Sequence, residues 1–415
     1  MPKIVAILGT LDTKGQEFGY LRDRIVSCGL GTVLVDCGVL EAPQLPPDIS
    51  RQEVAAAAGL SVEDLARAHD RGAAITAMTA GAVAVVQRLY RERKIDGLIS
   101  LGGSAGTTIG TAAMRSLPAG FPKLMVSTLA SGDTRPFVGT KDILLMYPIV
   151  DIAGLNRVSR RILANAAAAI SGMVSTEWAE PGGAQPLIAA TMFGVTTPCV
   201  TAARKVLEES GCEVLVFHAT GSGGLAMEQL VSDGYIAGVL DITTTELADE
   251  LAGGVMSAGA ERLEAAGKNG IPQVVCPGAI DMVNFGPLAS VPERYRSRRL
   301  HLHNANVTLM RTSPEECAQL GRVMAEKLNG ARSEVVFLMP LRGVSAIDAP
   351  GMPFWWPEAD RSFLDALESN LDTRVRLVKI EAHINDESFA RAAADALLEL
   401  MSLQNPAWKA TRRQA

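Results

Sequence analysis

The chain has 415 residues, with 39 lysines and arginines against 45 acids for a net charge of −6, and it is 48% hydrophobic, 20% charged and 5% aromatic with 39 glycines. That length supports two to three domains with their own cores, and the acidic balance argues against a nucleic-acid footprint built on basic patches. Abundant glycine and apolar residues suit a buried parallel sheet and exclude disorder, collagen and a disulfide-dense secreted module.

The opening MPKIVAILGTLDTKG places one lysine before a short apolar run broken by Asp12, which reads as a first strand over 4–8 and not as a signal peptide. Further continuous apolar runs predict strands at TVLVD (32–36), DGLISL (96–101), KLMVS (123–127) and ILLMYPIV (143–150). Unbroken apolar strands are those covered on both faces. Ser50 with Glu53 and Ser61 with Asp64 have capping-box spacing and start helices between them. The fold class is therefore α/β, a doubly wound Rossmann-like parallel sheet. The apolar stretch 162–174 contains Asn165 and Ser171 and falls short of the ~18 residues that span a bilayer. The six cysteines never take a C-x-x-C spacing, so a reduced, cytoplasmic chain with no membrane contact is expected.

The same order then recurs. KIDGLISLGG (from Lys94) matches YIAGVLDITT (from Tyr235), GFPKLMVST (from Gly120) matches GIPQVVCPG (from Gly270), and DILLM (from Asp142) matches NVTLM (from Asn306). The matches predict two tandem α/β subdomains related by an internal duplication. EWAEPGGAQP (177–186) reads as the linker, giving subdomains 1–180 and 181–415. The second half adds strands at EVVFLMPL (334–341) and TRVRLVKIEA (373–382), a last helix over 385–403, and a tail, TRRQA, expected to fray.

Ligands of open parallel sheets bind at the carboxyl ends of the strands. In the first half those ends carry GTLDTKG (9–15), Asp36, GGSAGTT (102–108) and STLASGD (127–133). The glycines of GGSAGTT permit close backbone approach where a helix begins, and orphan amides at a helix start favour phosphate or carboxylate. Lys14 adds a cation, Asp12 a partner for Mg²⁺ or a hydroxyl, and Asp36 stands where a doubly wound domain grips a ribose. Neither loop is a Walker A or a GxGxxG, and tight packing alone also uses such glycines.

In the second half the strand ends carry HATGSGG (218–224), DITTTE (241–246), PGAIDMVNFG (277–286) and PLRGVSAID (340–348). His218 is an acid–base candidate, with a hydrogen-bonded structural histidine as the rival reading. Arg342 suits an anion clamp, and Asp241, Asp281 and Asp348 suit a base or a Mg²⁺ ligand, although turn and capping roles explain acids of this kind as well. His301 and His303 share a face of an extended segment, which without a further ligand makes no zinc site, and no metal site is assigned.

GTLDTKG, GGSAGT, DIAGLNRVSRRIL, ATMFGVTTPCV, FHATGSGG, GVLDITTTELADEL, PGAIDMVNFG, VTLMRT, PLRGVSAIDAPG and EAHIND together resemble the Tm-one-like ATP-binding family over residues 3–400. The resemblance implies two tandem α/β subdomains, ATP held by the first, and a homodimer. Carried onto this chain, ATP would lie against Gly9, Thr10, Asp12, Thr13 and Lys14 and against Gly102, Gly103, Ser104, Ala105, Gly106 and Thr107. Asp36 and Thr128 join these by their strand-end positions. The second subdomain is then expected to hold a small anionic metabolite at Gly221, Ser222, Gly223, Gly224, Thr244 and Asp281, with His218, Asp241 and Arg342 carrying ATP-dependent group transfer. Two other functions fit the same residues: an isomerase, lyase or hydrolase without catalytic ATP, and a non-catalytic ATP-sensing module that docks a protein.

Overall fold

The computed structural model describes residues 2–177 and 185–405. Most of the expected linker, residues 178–184, and the expected frayed tail lie outside the described residues. The chain divides into two compact units, Met1–Glu180 and Pro181–Ala415.

The first unit is built on β1 (Ile4–Gly9), β2 (Gly31–Asp36), β3 (Gly97–Gly102), β4 (Lys123–Ser127) and β5 (Leu144–Met146), all parallel in the order β2-β1-β3-β4-β5. Successive residues of a strand face opposite sides, and here both sides are apolar. Val5 and Ile7 pack with Phe18, Leu21 and Ile25 of the helix Leu11–Ser27 and with Leu163 and Ile170 of Arg157–Ser175. Ala6 and Leu8 pack with Val54, Met78, Val85 and Ile109 from the helices Arg51–Ala57, Arg71–Arg91 and Ser104–Arg115 on the other side. Gly81 lets two of these helices touch, since a Cβ there would come within 1.9 Å of the Val54 carbonyl oxygen. The helix Arg71–Arg91 is long and apolar enough to cross a membrane by length and composition, yet Ala74, Met78, Ala82, Val85, Val86 and Leu89 are buried in this core. The expected caps form: Ser50 and Glu53 make a full capping box, and the Ser61 hydroxyl accepts from the Asp64 amide. The strand expected over 143–150 is only three residues long, because Pro148 and the positive φ of Ile149 take the chain out of the ladder.

The second unit has β6 (Leu187–Met192), β7 (Glu213–His218), β8 (Gly238–Thr243), β9 (Gln273–Gly278), β10 (Met282–Phe285), β11 (Leu300–Asn304), β12 (Val307–Arg311), β13 (Val335–Pro340) and β14 (Val375–Ile380). Six of these form a parallel sheet in the order β14-β13-β9-β8-β6-β7. Read from its own first strand this repeats the order of the first unit with one strand added. The first two sequence matches fall on equivalent strands, β3 with β8 and β4 with β9. The third does not: NVTLM is β12, the centre of a small antiparallel sheet β10-β12-β11, whereas the strand beside β9 is β13. This antiparallel insertion, which the sequence matches do not reveal, lies between β9 and β13 along the chain while the two strands pair in the sheet.

Candidate functional site

The carboxyl edge of the first sheet encloses a cavity of about 590 Å³. Its floor is made by Thr10, Asp12, Thr13 and Lys14 after β1, by Cys37 to Leu40 after β2, and by Gly102 to Gly106 after β3. Leu65, Ala74, Ile75 and Met78, from the helices Val62–Ala68 and Arg71–Arg91, supply an apolar wall. Two helices point their N-termini at this space. The helix Ser104–Arg115 starts after Gly103 without a side-chain cap, and Gly102 fits because a Cβ there would lie 2.9 Å from the Gly106 Cα. The amides of the first turn, Ser104 to Gly106, are therefore left for an acceptor from outside the helix. The helix Leu11–Ser27 likewise has no side-chain cap at Thr10 and bends at Lys14, whose φ of −128° is non-helical. The Lys14 ammonium donates to the Ile152 carbonyl and so stays on the wall beside Asp151.

Most residues expected to hold a nucleotide are thus brought together on one cavity, and the exceptions have physical reasons. Asp36 is fully buried and does not line the cavity. One of its oxygens accepts from the amides of Leu11 (3.1 Å) and Gly38 (2.9 Å), and the other from Arg51 Nε at 2.9 Å. Its expected grip on a ribose is corrected: it is a brace between the first two loops. Gly9 faces the Phe18 ring, Thr107 is buried with its hydroxyl 2.7 Å from that of Ser127, and Thr128 donates its amide to the Gly102 carbonyl at 3.2 Å. These three support the loops from behind. Cys37 lines the cavity, but burial and then the Asp36 charge push its thiol far up, so it presents no thiolate.

The second unit treats its candidates differently. Asp241 is fully buried, and Arg262, itself inaccessible, donates to both of its oxygens at 2.5 and 2.7 Å. Arg262 Nε also donates to Glu246 at 2.7 Å. The other Glu246 oxygen accepts from the amides of Gly221 (2.7 Å) and Gly224 (3.0 Å), and a Cβ at Gly224 would fall 2.1 Å from that carboxylate. The glycine loop expected to take an anionic metabolite is thus filled by a side chain of the same chain. A Cβ at Gly223 would fall 1.9 Å from the His218 carbonyl oxygen, and Thr244 gives its hydroxyl to the Cys276 carbonyl at 3.1 Å. Ser222 is exposed at the start of its helix. His218 is exposed and stacked on Phe193 at 5.5 Å, and Arg342, 62% exposed by its side chain, pairs with Glu381 at 3.1 Å. A catalytic grouping of His218, Asp241 and Arg342 is corrected accordingly: one is sealed by Arg262 and two are exposed.

Asp281 belongs to a separate buried cluster that the sequence reading did not assemble. Ser345 donates to it at 2.8 Å, and burial followed by the Asp348 charge pushes its carboxyl up to about 8. Arg311 lies against Asp348 at 3.7 Å and Asp360 at 2.7 Å, and Asp360 is raised to about 7 by burial and by Asp348. His301 lies on β11 with its ring 6.1 Å from that of Phe354, and His303 is exposed beyond it.

The two units coincide with two family models, the N-terminal domain of the uncharacterised protein family UPF0261 over residues 3–179 and its C-terminal domain over 185–401. A UPF0261 protein of Clostridium tetani is 54% identical over 97% of this chain and 100% of its own length, and UPF0261 protein RA0729 of Rhizobium meliloti is 47% identical over 96% and 99%. The ToMV resistance protein Tm-1(GCR237) of Solanum lycopersicum is 41% identical over 96% of this chain, which spans 56% of that protein. With both units matched end to end, the chain belongs to the UPF0261 family.

Proposed function

We propose that the first unit binds ATP in the cavity at the carboxyl edge of its sheet. The observation that carries the reading is the uncapped N-terminus of the helix Ser104–Arg115 facing a cavity that also has an apolar wall. Phosphates suit the amides of residues 104–106 and the positive end of the helix, with Lys14 and Arg71 as lining cations. A purine suits the space beside Leu65, Ile75 and Met78. Asp70 and Asp151 on the same lining offer carboxylates to a Mg²⁺ that would travel with the phosphates. The test is thermal stability of the full chain with ATP, ADP and AMP, each with and without Mg²⁺. A ligand at a hundredfold excess over its Kd adds about 2.7 kcal/mol, which raises the melting temperature visibly. An unchanged melting temperature with all three nucleotides, backed by the absence of heat in a calorimetric titration, refutes the reading.

A specific observation favours nucleotide binding linked to recognition over ATP-dependent transfer to a metabolite. The anion cradle of the second unit is closed by Glu246, Asp241 is sealed by Arg262, and Arg342 is paired with Glu381. Assembly as a homodimer rests on the family resemblance, and a cytoplasmic location on the cysteine spacing. ATP consumption by the purified chain, measured with and without a metabolite mixture, separates the two: steady release of ADP or AMP would restore the transfer reading.

A further inference from the structure

We infer that Asp12 reads the sugar of the bound nucleotide, its carboxylate accepting a ribose hydroxyl; this rests on the nucleotide reading of the same cavity. The acid that the fold leads one to expect in this role, Asp36 at the end of β2, has its oxygens committed to Leu11, Gly38 and Arg51. Asp12 reaches that place from the neighbouring loop. Its carboxylate lies on Gly38, two residues beyond Asp36: a Cβ at Gly38 would stand 2.5 Å from Asp12 Cγ and 2.6 and 2.7 Å from the two oxygens. Glycine at 38 is thus what admits the carboxylate to the end of β2, where a doubly wound sheet presents an acid to a ribose.

The carboxylate is also incomplete. Asp12 is only 5% exposed and lines the cavity. Oδ2 accepts from the Leu40 amide at 3.0 Å, while Oδ1 has no hydrogen-bond partner. Leaving a buried carboxylate oxygen without a donor costs about 1–3 kcal/mol or more, so the site is built for a donor that arrives with the ligand. Lys14, the nearest cation in sequence, gives its ammonium to the Ile152 carbonyl instead. A sugar hydroxyl is a neutral donor that satisfies Oδ1 without a further counter-charge.

The experiment compares calorimetric Kd values for ATP, 2′-deoxy-ATP and 3′-deoxy-ATP in EDTA, on the wild-type chain and on Asp12→Asn. A hydrogen bond to a charged group corresponds to about a 10- to 150-fold change in affinity. The wild type should therefore bind at least one deoxynucleotide about tenfold or more weakly than ATP. Asp12→Asn keeps an acceptor oxygen but loses the charge, so it should bind ATP more weakly and discriminate less sharply than the wild type. Equal affinity of the wild type for all three nucleotides overturns the assignment and needs no variant, so a folding defect in Asp12→Asn cannot mask it. A variant that discriminates as sharply as the wild type also overturns it. A loss in Asp12→Asn that occurs only when Mg²⁺ is present, with no sugar discrimination by the wild type, makes Asp12 a metal ligand and equally overturns it. Absence of any ATP binding to the wild type refutes the nucleotide reading itself, a different result from binding without discrimination.

Discussion

Replacing Ser104 by proline removes one backbone donor from the proposed phosphate cradle while leaving the helix intact. Ser104 is the first residue of the helix Ser104–Arg115, where proline is well accepted because that amide has no intrahelical partner. The preceding Gly103 is extended, with φ −82° and ψ −153°, and so lies outside the α region that a following proline disfavours. Folding stability should therefore stay within about 0.5 kcal/mol of the parent. A hydrogen bond from an amide to a charged phosphate is worth about 1.5–3 kcal/mol, so ATP should bind Ser104→Pro about 10- to 150-fold more weakly. Ser104→Ala keeps the N–H and removes only the hydroxyl, so the difference between the two variants isolates the backbone donor. Calorimetric titration with ATP reads the affinities and thermal unfolding checks the fold. Equal ATP affinity in Ser104→Pro and Ser104→Ala, with both folded, refutes the placement of phosphate on this helix start.

Two other perturbations test the internal architecture of the second unit. Arg262→Met strands the buried carboxylates of Asp241 and Glu246, and breaking a buried pair from one side costs about 3–5 kcal/mol. At about 2–4 °C per kcal/mol for a unit of this size, its unfolding transition should fall by about 6–20 °C, and a fall below about 2 °C would contradict the structural role. Asp281→Asn tests the Arg311 cluster through pH. Burial and Asp348 raise the Asp281 carboxyl to about 8, so the folded state holds a proton that the unfolded chain releases near its ordinary value. Stability from this group is full below pH ~4 and declines, by about 1.4 kcal/mol per pH unit, as pH rises toward about 8. Denaturant titrations from pH 5 to 9 should therefore show a flatter decline in Asp281→Asn than in the wild type up to about 8, and parallel curves would contradict the buried proton.

Much of the first unit was legible because its signals are local. Val5, Ile7, Ile99 and Val126 sit in runs apolar on both faces, and the Ser50–Glu53 box is complete within four residues. The convergence of the 9–14 and 102–106 loops followed from the rule that parallel strands deliver their following loops to one edge. What stayed hidden depends on partners far along the chain. Asp36 reads as a ribose ligand until Arg51, fifteen residues on, is found against it. The glycine loop at 221–224 reads as an anion cradle until Glu246 is found inside it, and nothing near Gly221 announces that carboxylate. β12 was misassigned because Val307, Leu309 and Met310 give the same apolar run in an antiparallel centre as in a parallel sheet. Its buried Thr308 and Arg311 were the available signal, since a charged residue at the end of such a run calls for a specific buried partner, here Asp360 and Asp348.

Amide hydrogen exchange of the full chain with and without ATP reads out whether ATP occupies the first unit with its phosphates on the helix start at residues 104–106. With nucleotide bound there, ATP slows exchange in peptides covering 10–14, 37–40 and 103–107, the three loops that floor the cavity. Exchange at 221–224 should not change, because Glu246 already holds the amides of Gly221 and Gly224. Protection confined to the second unit, or none anywhere at saturating ATP, would contradict this placement.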